Sequence, residues 1–202
     1  RYEQAEALYQ RARHIWEQTQ GPGHPDAALS LTNLGNLSFE QGQYPEAEAL
    51  YRKAFHIWEQ ALEPDHPYLA EPLTGLANLY REQGRYVEAE AFYHRALSIR
   101  EHRLGSQHPE TAKTLHDLAH LCQKQGNLKE AISLAERALQ IRSRSLGDAH
   151  PKTIATHTLY TQLLQEPSCM QETAPSEHHA PEASDSREAE RPFHDPSSSE
   201  HD

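Results

Sequence analysis

Methionine occurs once in this chain, at Met170, and cysteine only twice, at Cys122 and Cys169. Two cysteines make no disulfide framework, which fits a reducing, cytoplasmic compartment. No run of about 18 apolar residues exists, so no membrane-spanning helix and no membrane partner are expected. No secretory signal is visible. Basic residues are scarce: 19 Lys and Arg stand against 30 Asp and Glu, for a net charge of -11. With no basic stripe, the chain would repel phosphate, and nucleic acid is excluded as a partner. No Ser/His/Asp arrangement, glycine-rich phosphate loop or paired-cysteine zinc motif occurs, so neither catalysis nor a cofactor is expected. A lone methionine this late, with a beginning in mid-pattern, leads to the expectation that the sequence is part of a longer chain.

Apolar residues make up only 36% of the chain, and the shortfall is local. Residues 1–164 carry 17 basic against 20 acidic side chains. Residues 166–202 carry 2 against 10, with many Pro and Ser and almost nothing apolar. Such a segment cannot bury enough surface to offset the entropy of ordering it. The expected division is therefore a folded part, residues 1–165, and a disordered acidic tail, residues 166–202.

What the folded part has is repetition. YPEAEALYRKAF begins at Tyr44 and YVEAEAFYHRAL at Tyr86, 42 residues later. The same step back reaches YEQAEALYQRAR at Tyr2, and the same step forward reaches LKEAISLAERAL at Leu128. His24-Pro25, His66-Pro67, His108-Pro109 and His150-Pro151 keep the beat, as do Gly42, Gly84 and Gly126. A period of 20–50 residues is the mark of stacked supersecondary units.

Each unit reads as two helices. In HPYLAEPLTGLANLYREQG, Leu73, Leu76, Ala77 and Tyr80 fall at i, i+3, i+4 and i+7, the apolar stripe of a helix. Pro67 suits the first turn and Gly84 the position just past the end. Ala89, Tyr93, Ala96 and Leu97 share a face of the second helix, and the short turn between them makes the two antiparallel. Small residues recur where axes cross: Gly35, Ala77 and Ala119 in first helices, and Ala47, Ala89 and Ala131 in second helices. The expected organisation is a lone second helix at 1–20, full units at 24–62, 66–104 and 108–146, and a capping first helix at 150–165. Pro72 lies beyond a first turn, so a kink or a late start is expected there.

LxNLGxL at Leu31–Leu37, LTGLANLY at Leu73–Tyr80, the QG turns and YxEAExxYxxA at Tyr44 and Tyr86 resemble the tetratricopeptide repeat, in the 42-residue variety of kinesin light chains. The resemblance covers residues 1–164. It implies an all-α, right-handed superhelix of stacked antiparallel helix pairs, an α-solenoid. It also implies a non-catalytic interaction protein that takes a peptide segment of a protein partner in a concave groove. The alternative is the sensing or autoinhibitory arm of a larger signalling protein with an upstream nucleotide-hydrolysing switch. Carried over position by position, the groove rows are Asn36, Asn78, His120 and Gln162; Thr32, Thr74, His116 and Thr158; and Asn33, Gly75, Asp117 and Leu159. Amide and imidazole groups donate and accept at once, which suits a peptide backbone. Seven of these are the expected contacts: Asn33, Asn36, Asn78, His116, Asp117, His120 and Gln162.

Within HDLAH, His116 and His120 share a helix face and could chelate a divalent ion. Spacing places no third ligand, so no metal is expected and two groove histidines are the preferred reading. The His-Pro pairs start different helices and are read as structural. Trp16 and Trp58 become Arg100 and Arg142 in later units; inter-repeat packing is preferred over an aromatic contact surface. The tail is read as solubilising, with a second possibility that RPFHD at 191–195, carrying Phe193, folds back into the groove.

Overall fold

The computed structural model describes residues 2–21 and 23–166. Residues 167–202 of the expected tail, with RPFHD and Cys169, lie outside the described residues. Among them eight α-helices follow in order: α1 (Tyr2–Gln20), α2 (Pro25–Glu40), α3 (Tyr44–Ala61), α4 (Ala70–Glu82), α5 (Tyr86–Leu104), α6 (Pro109–Gln125), α7 (Leu128–Leu146) and α8 (Pro151–Gln165). No strand occurs among the described residues. Each helix packs on the next, and the fold is an α-solenoid of adjacent helix pairs.

The punctuation is chemical. His24, His66, His108 and His150 each hold extended backbone before a proline. Each turns its imidazole Nδ1 to accept the N–H two residues on, from Asp26, Tyr68, Glu110 and Lys152 at 3.2–3.3 Å. The His-Pro pair is therefore a complete helix start. Proline removes one orphan donor and the ring accepts another. At the other end Gly84 adopts φ +74°, which lets Arg85 N–H reach back to Tyr80 C=O at 2.9 Å. Gly42 and Gly126 repeat the motif. Pro72 has the effect expected of it. A single 3-10 turn spans Pro67–Leu69, and the α-helix starts only at Ala70. That late start puts Pro72 in the first turn, where its missing N–H leaves nothing unpaired.

The core runs the length of the stack. Second helices insert large side chains between successive first helices. Tyr51 of α3 is 1% exposed, and its ring lies against both Gly35 of α2 and Gly75 of α4. A Cβ built on Gly35 would come within 2.7 Å of that ring, and one on Gly75 within 2.5 Å. Tyr93 of α5 is the equivalent residue one unit on and is fully buried. In α7 the place is taken by Ala135, and Leu159 of α8 stands where α4 has Gly75. Ala135 and Leu159 are buried in the same apolar cluster. Where the tyrosine is lost, the facing residue has grown, and interior density is kept.

Trp58 belongs to the packing as well. It is 1% exposed, donates from Nε1 to Pro25 C=O at 2.8 Å, and meets the Tyr68 ring at 5.5 Å. Arg100 and Arg142, which follow it in register, are 1% and 4% exposed.

The first helices α2, α4, α6 and α8 also touch one another directly, α2 to α4, α4 to α6 and α6 to α8. The second helices α3, α5 and α7 make no comparable mutual contact. Elements that approach one another line the inside of a bend, so the first helices form the inner layer of the described stack.

Gly75→Leu alone should destabilise the protein by about 1–3 kcal/mol through overpacking. Combined with Tyr51→Ala it copies the Ala135–Leu159 solution. The double variant should then be more stable than the sum of the single changes by at least about 0.5 kcal/mol in urea unfolding.

Candidate functional site

The inner face is built by first-helix positions four, seven, eight and eleven residues past each His-Pro proline. In α4 these are Glu71, Thr74, Gly75 and Asn78; in α6 they are Lys113, His116, Asp117 and His120. Asn36 of α2 is exposed and Asn78 of α4 is half-buried. Each is held from behind by the buried tyrosine of the following helix. Tyr51 Oη donates to Asn36 Oδ1 at 2.8 Å, and Tyr93 Oη donates to Asn78 Oδ1 at 2.5 Å. Arg81 Nη1 donates to Tyr93 Oη at 3.2 Å, leaving the phenol proton for the amide oxygen. The carboxamide oxygens are thus occupied. Each amide keeps its two N–H donors for whatever lies in front of it.

The other expected rows divide. Thr32 and Thr74 are buried, and their hydroxyls donate back to Ala28 and Ala70 C=O at 2.9 and 2.7 Å. Gly75 is sealed by Tyr51, and Leu159 is 2% exposed in the core. These four are floor, not contact surface. Asn33 is half-buried on α2, and Gln162 is exposed on α8. His157 is exposed on α8.

Three expected residues come together on α6. The His116 and His120 rings meet edge to face at 4.8 Å. Burial, then the nearby Arg142 charge, lowers His116 to about 3, and burial lowers His120 as well. Both are neutral at physiological pH. His116 Nδ1 is buried without a hydrogen-bond partner. Asp117 is half-buried. Burial pushes its carboxyl above the ordinary range, although Arg81, Lys113, Arg142 and Arg100 all favour the charge. No group of three or more His, Cys, Asp or Glu side chains among the described residues is placed to hold a metal ion.

Residue-type reasoning missed the charged floor beside this cluster. Arg100 of α5 reaches between α4 and α6. Its Nη1 donates to Thr74 Oγ1 and Thr114 Oγ1, and its Nη2 to Glu71 Oε1, with Glu110 Oε2 at 3.7 Å. Burial opposes the Glu71 charge, but Lys113 at 3.4 Å and Arg100 outweigh it and hold the carboxyl low. The available signal was the register: two arginines continue a column that begins with two tryptophans.

The tetratricopeptide repeat pattern matches residues 1–55, 28–102, 70–141 and 110–167, which together span the whole folded part. The chain belongs to the tetratricopeptide repeat family. Among solved structures, this repeat protein is similar to a Podosopora anserina protein described as a kinesin light chain with nearly identical TPR-like repeats. Identity is 26%, the match covers 81% of this chain and 77% of that one, and the TM-score is 0.65. BtubC (BKLC) from P. vanneervenii shares the fold at 22% identity, over 81% of this chain and 66% of that one, with a TM-score of 0.65. The N-terminal domain of stress-induced protein-1 from C. elegans shares it at 20% identity, over 70% and 97%, with a TM-score of 0.51. No curated protein matches the repeat protein. Tetratricopeptide repeats mediate protein–protein interaction in general, and no described helix is long and apolar enough to cross a membrane.

Two of the perturbed α6 groups of this repeat protein, His116 and Asp117, act with opposite signs. His116 titrates lower folded than unfolded. Its contribution is present above about pH 6.5 and is lost as pH falls towards 3, at up to about 1.4 kcal/mol per pH unit. His116→Thr, the residue at this place in the previous unit, should flatten that part of the stability–pH curve. Asp117 titrates higher folded than unfolded. It favours the fold below its unfolded value of 3.8 and costs stability as pH rises through its folded value. Asp117→Asn should therefore raise Tm at pH 7, read by thermal denaturation.

Proposed function

We propose that the protein is a non-catalytic interaction scaffold whose inner face binds an extended peptide segment of a protein partner. The observation that carries this is the tyrosine-locked amide. Two asparagines on successive first helices present N–H donors from orientations fixed by buried phenols. Preorganised donors lose little entropy on binding. They match peptide carbonyls without selecting a side chain, so affinity comes from the peptide backbone and selectivity from the side chains between the amides. The α6 cluster supplies part of that selectivity: neutral His116 and His120, and Asp117. Gln162 and Asn33 extend the surface at either end.

Catalysis finds no support in this arrangement. His116 and His120 are neutral and adjacent, but no nucleophile meets either ring among the described residues. Cys122 is buried, and burial pushes its thiol up to about 12, which leaves no thiolate at neutral pH.

The test replaces the donors and keeps the lock. Asn36→Asp with Asn78→Asp preserves both acceptors for Tyr51 and Tyr93 but presents carboxylate oxygens where N–H groups stood. In quantitative pull-downs from the cells that express the protein, the variant should recover partners about tenfold less well, as expected for lost hydrogen bonds in a desolvated site. Gln140→Ala on an exposed second-helix position should recover them normally. Equal recovery by all three proteins would remove the groove assignment.

A further inference from the structure

Two buried arginines occupy the same place in successive repeat interfaces, and only one of them has its counter-charge. Arg100 lies between α4 and α6; Arg142, 42 residues later, lies between α6 and α8. Each donates from Nη1 to the hydroxyl of a threonine on the next first helix, Thr114 for Arg100 and Thr156 for Arg142. There the likeness ends. Arg100 also meets Glu71 and Glu110. The residues 42 further on are Lys113 and Lys152, so both acids have become bases. Thr74, which accepts from Arg100 at 3.3 Å, has become His116, whose Nδ1 is buried without a partner.

Arg142 is thereby left with Thr156 Oγ1 and Lys152 C=O, the latter at 3.0 Å, both on Nη1. No acceptor meets its Nε or Nη2 among the described residues, and no carboxylate comes within ion-pair distance. Burial pulls the Arg142 guanidinium below the usual arginine range, and the fields of Asp117 and Glu110 oppose this from α6 without contact. A guanidinium that is 4% exposed, anchored along one edge and open along the other, is a preformed site for a planar anion. Lys152 gives it only a backbone carbonyl, and the Lys113 ammonium is turned to Glu71 at 3.4 Å.

Resting on the groove reading, we propose that the α6–α7–α8 interface is an anion subsite. A Glu or Asp side chain of the bound segment places its carboxylate on Arg142, in the position that Glu71 takes on Arg100. The internal acid of one interface is supplied by the partner in the next. The array thus carries one self-satisfied arginine and one that reports a ligand.

The probe is a pair of peptides, acetyl-AEAEA-amide and acetyl-AQAQA-amide, titrated into the full chain with the Arg142 Nε–H and His116 ring followed by NMR. The glutamate peptide should shift both signals saturably below about 10 mM, and the glutamine peptide should bind at least about fivefold more weakly. Lys152→Glu restores the second-interface acid. It should raise Tm by about 2–4 °C and remove the preference for glutamate, because the open edge is then filled from within. Asn36→Ala with Asn78→Ala should instead weaken both peptides alike, which separates a failure of the groove from a failure of the subsite. Equal binding of the two peptides, no saturable shift, or an undiminished glutamate preference in Lys152→Glu would overturn the proposal. Inorganic phosphate shifting Arg142 at lower concentration than the glutamate peptide would overturn the assignment to a carboxylate side chain.

Discussion

The structure depends on one recurring act of packing: a large side chain of each second helix is driven between two consecutive first helices. Tyr51 wedges between α2 and α4, and Arg100 between α4 and α6. Burying such a side chain requires surfaces from two units at once. A full apolar side chain contributes about 1.5–3 kcal/mol when buried, and a lone hairpin can supply only one wall. Stability is therefore a property of interfaces between neighbours. The inner face is the other product of the same act, because the wedge residues set how closely the first helices approach.

This coupling ties recognition to folding. The phenol that fills the space between first helices is also the donor that orients Asn36 and Asn78. A change in packing would reach the proposed binding surface through one hydrogen bond. The third interface departs from the rule in two ways. Its tyrosine is gone, and its charges are inverted relative to the second. His116 and Arg142 are each less well satisfied than Thr74 and Arg100, their equivalents one unit earlier, and such groups concentrate where a ligand completes them.

Much of the fold was legible because it rests on local chemistry repeated in register. The 42-residue period, the His-Pro starts, the QG ends and the small residues at crossings each carry a backbone or packing requirement that residue type alone expresses. The late start at Pro72 was legible for the same reason. The His Nδ1 caps were not, since a histidine before proline advertises extended backbone but not its ring orientation. Of the groove rows, Asn36, Asn78, His120 and Gln162 reach solvent, while Thr32, Thr74, Gly75 and Leu159 are floor. Helical spacing gives a face, not the depth at which neighbouring helices close over it. Arg100 and Arg142 were placed in the Trp16–Trp58 column by register, but their burial and hydrogen-bond partners were not foreseen, because an arginine late in a helix usually reads as solvated. Only aligning them with buried Trp58 reveals that their column lies inside.

The central claim is that a hairpin here has no stability without its neighbours. The direct measurement is circular dichroism of the excised second unit, residues 66–104, beside the full chain. The account predicts weak helicity and no cooperative melt for the excised unit, against a single sharp transition for the full chain. A monomeric, strongly helical 66–104 fragment with its own sigmoidal melt would contradict it.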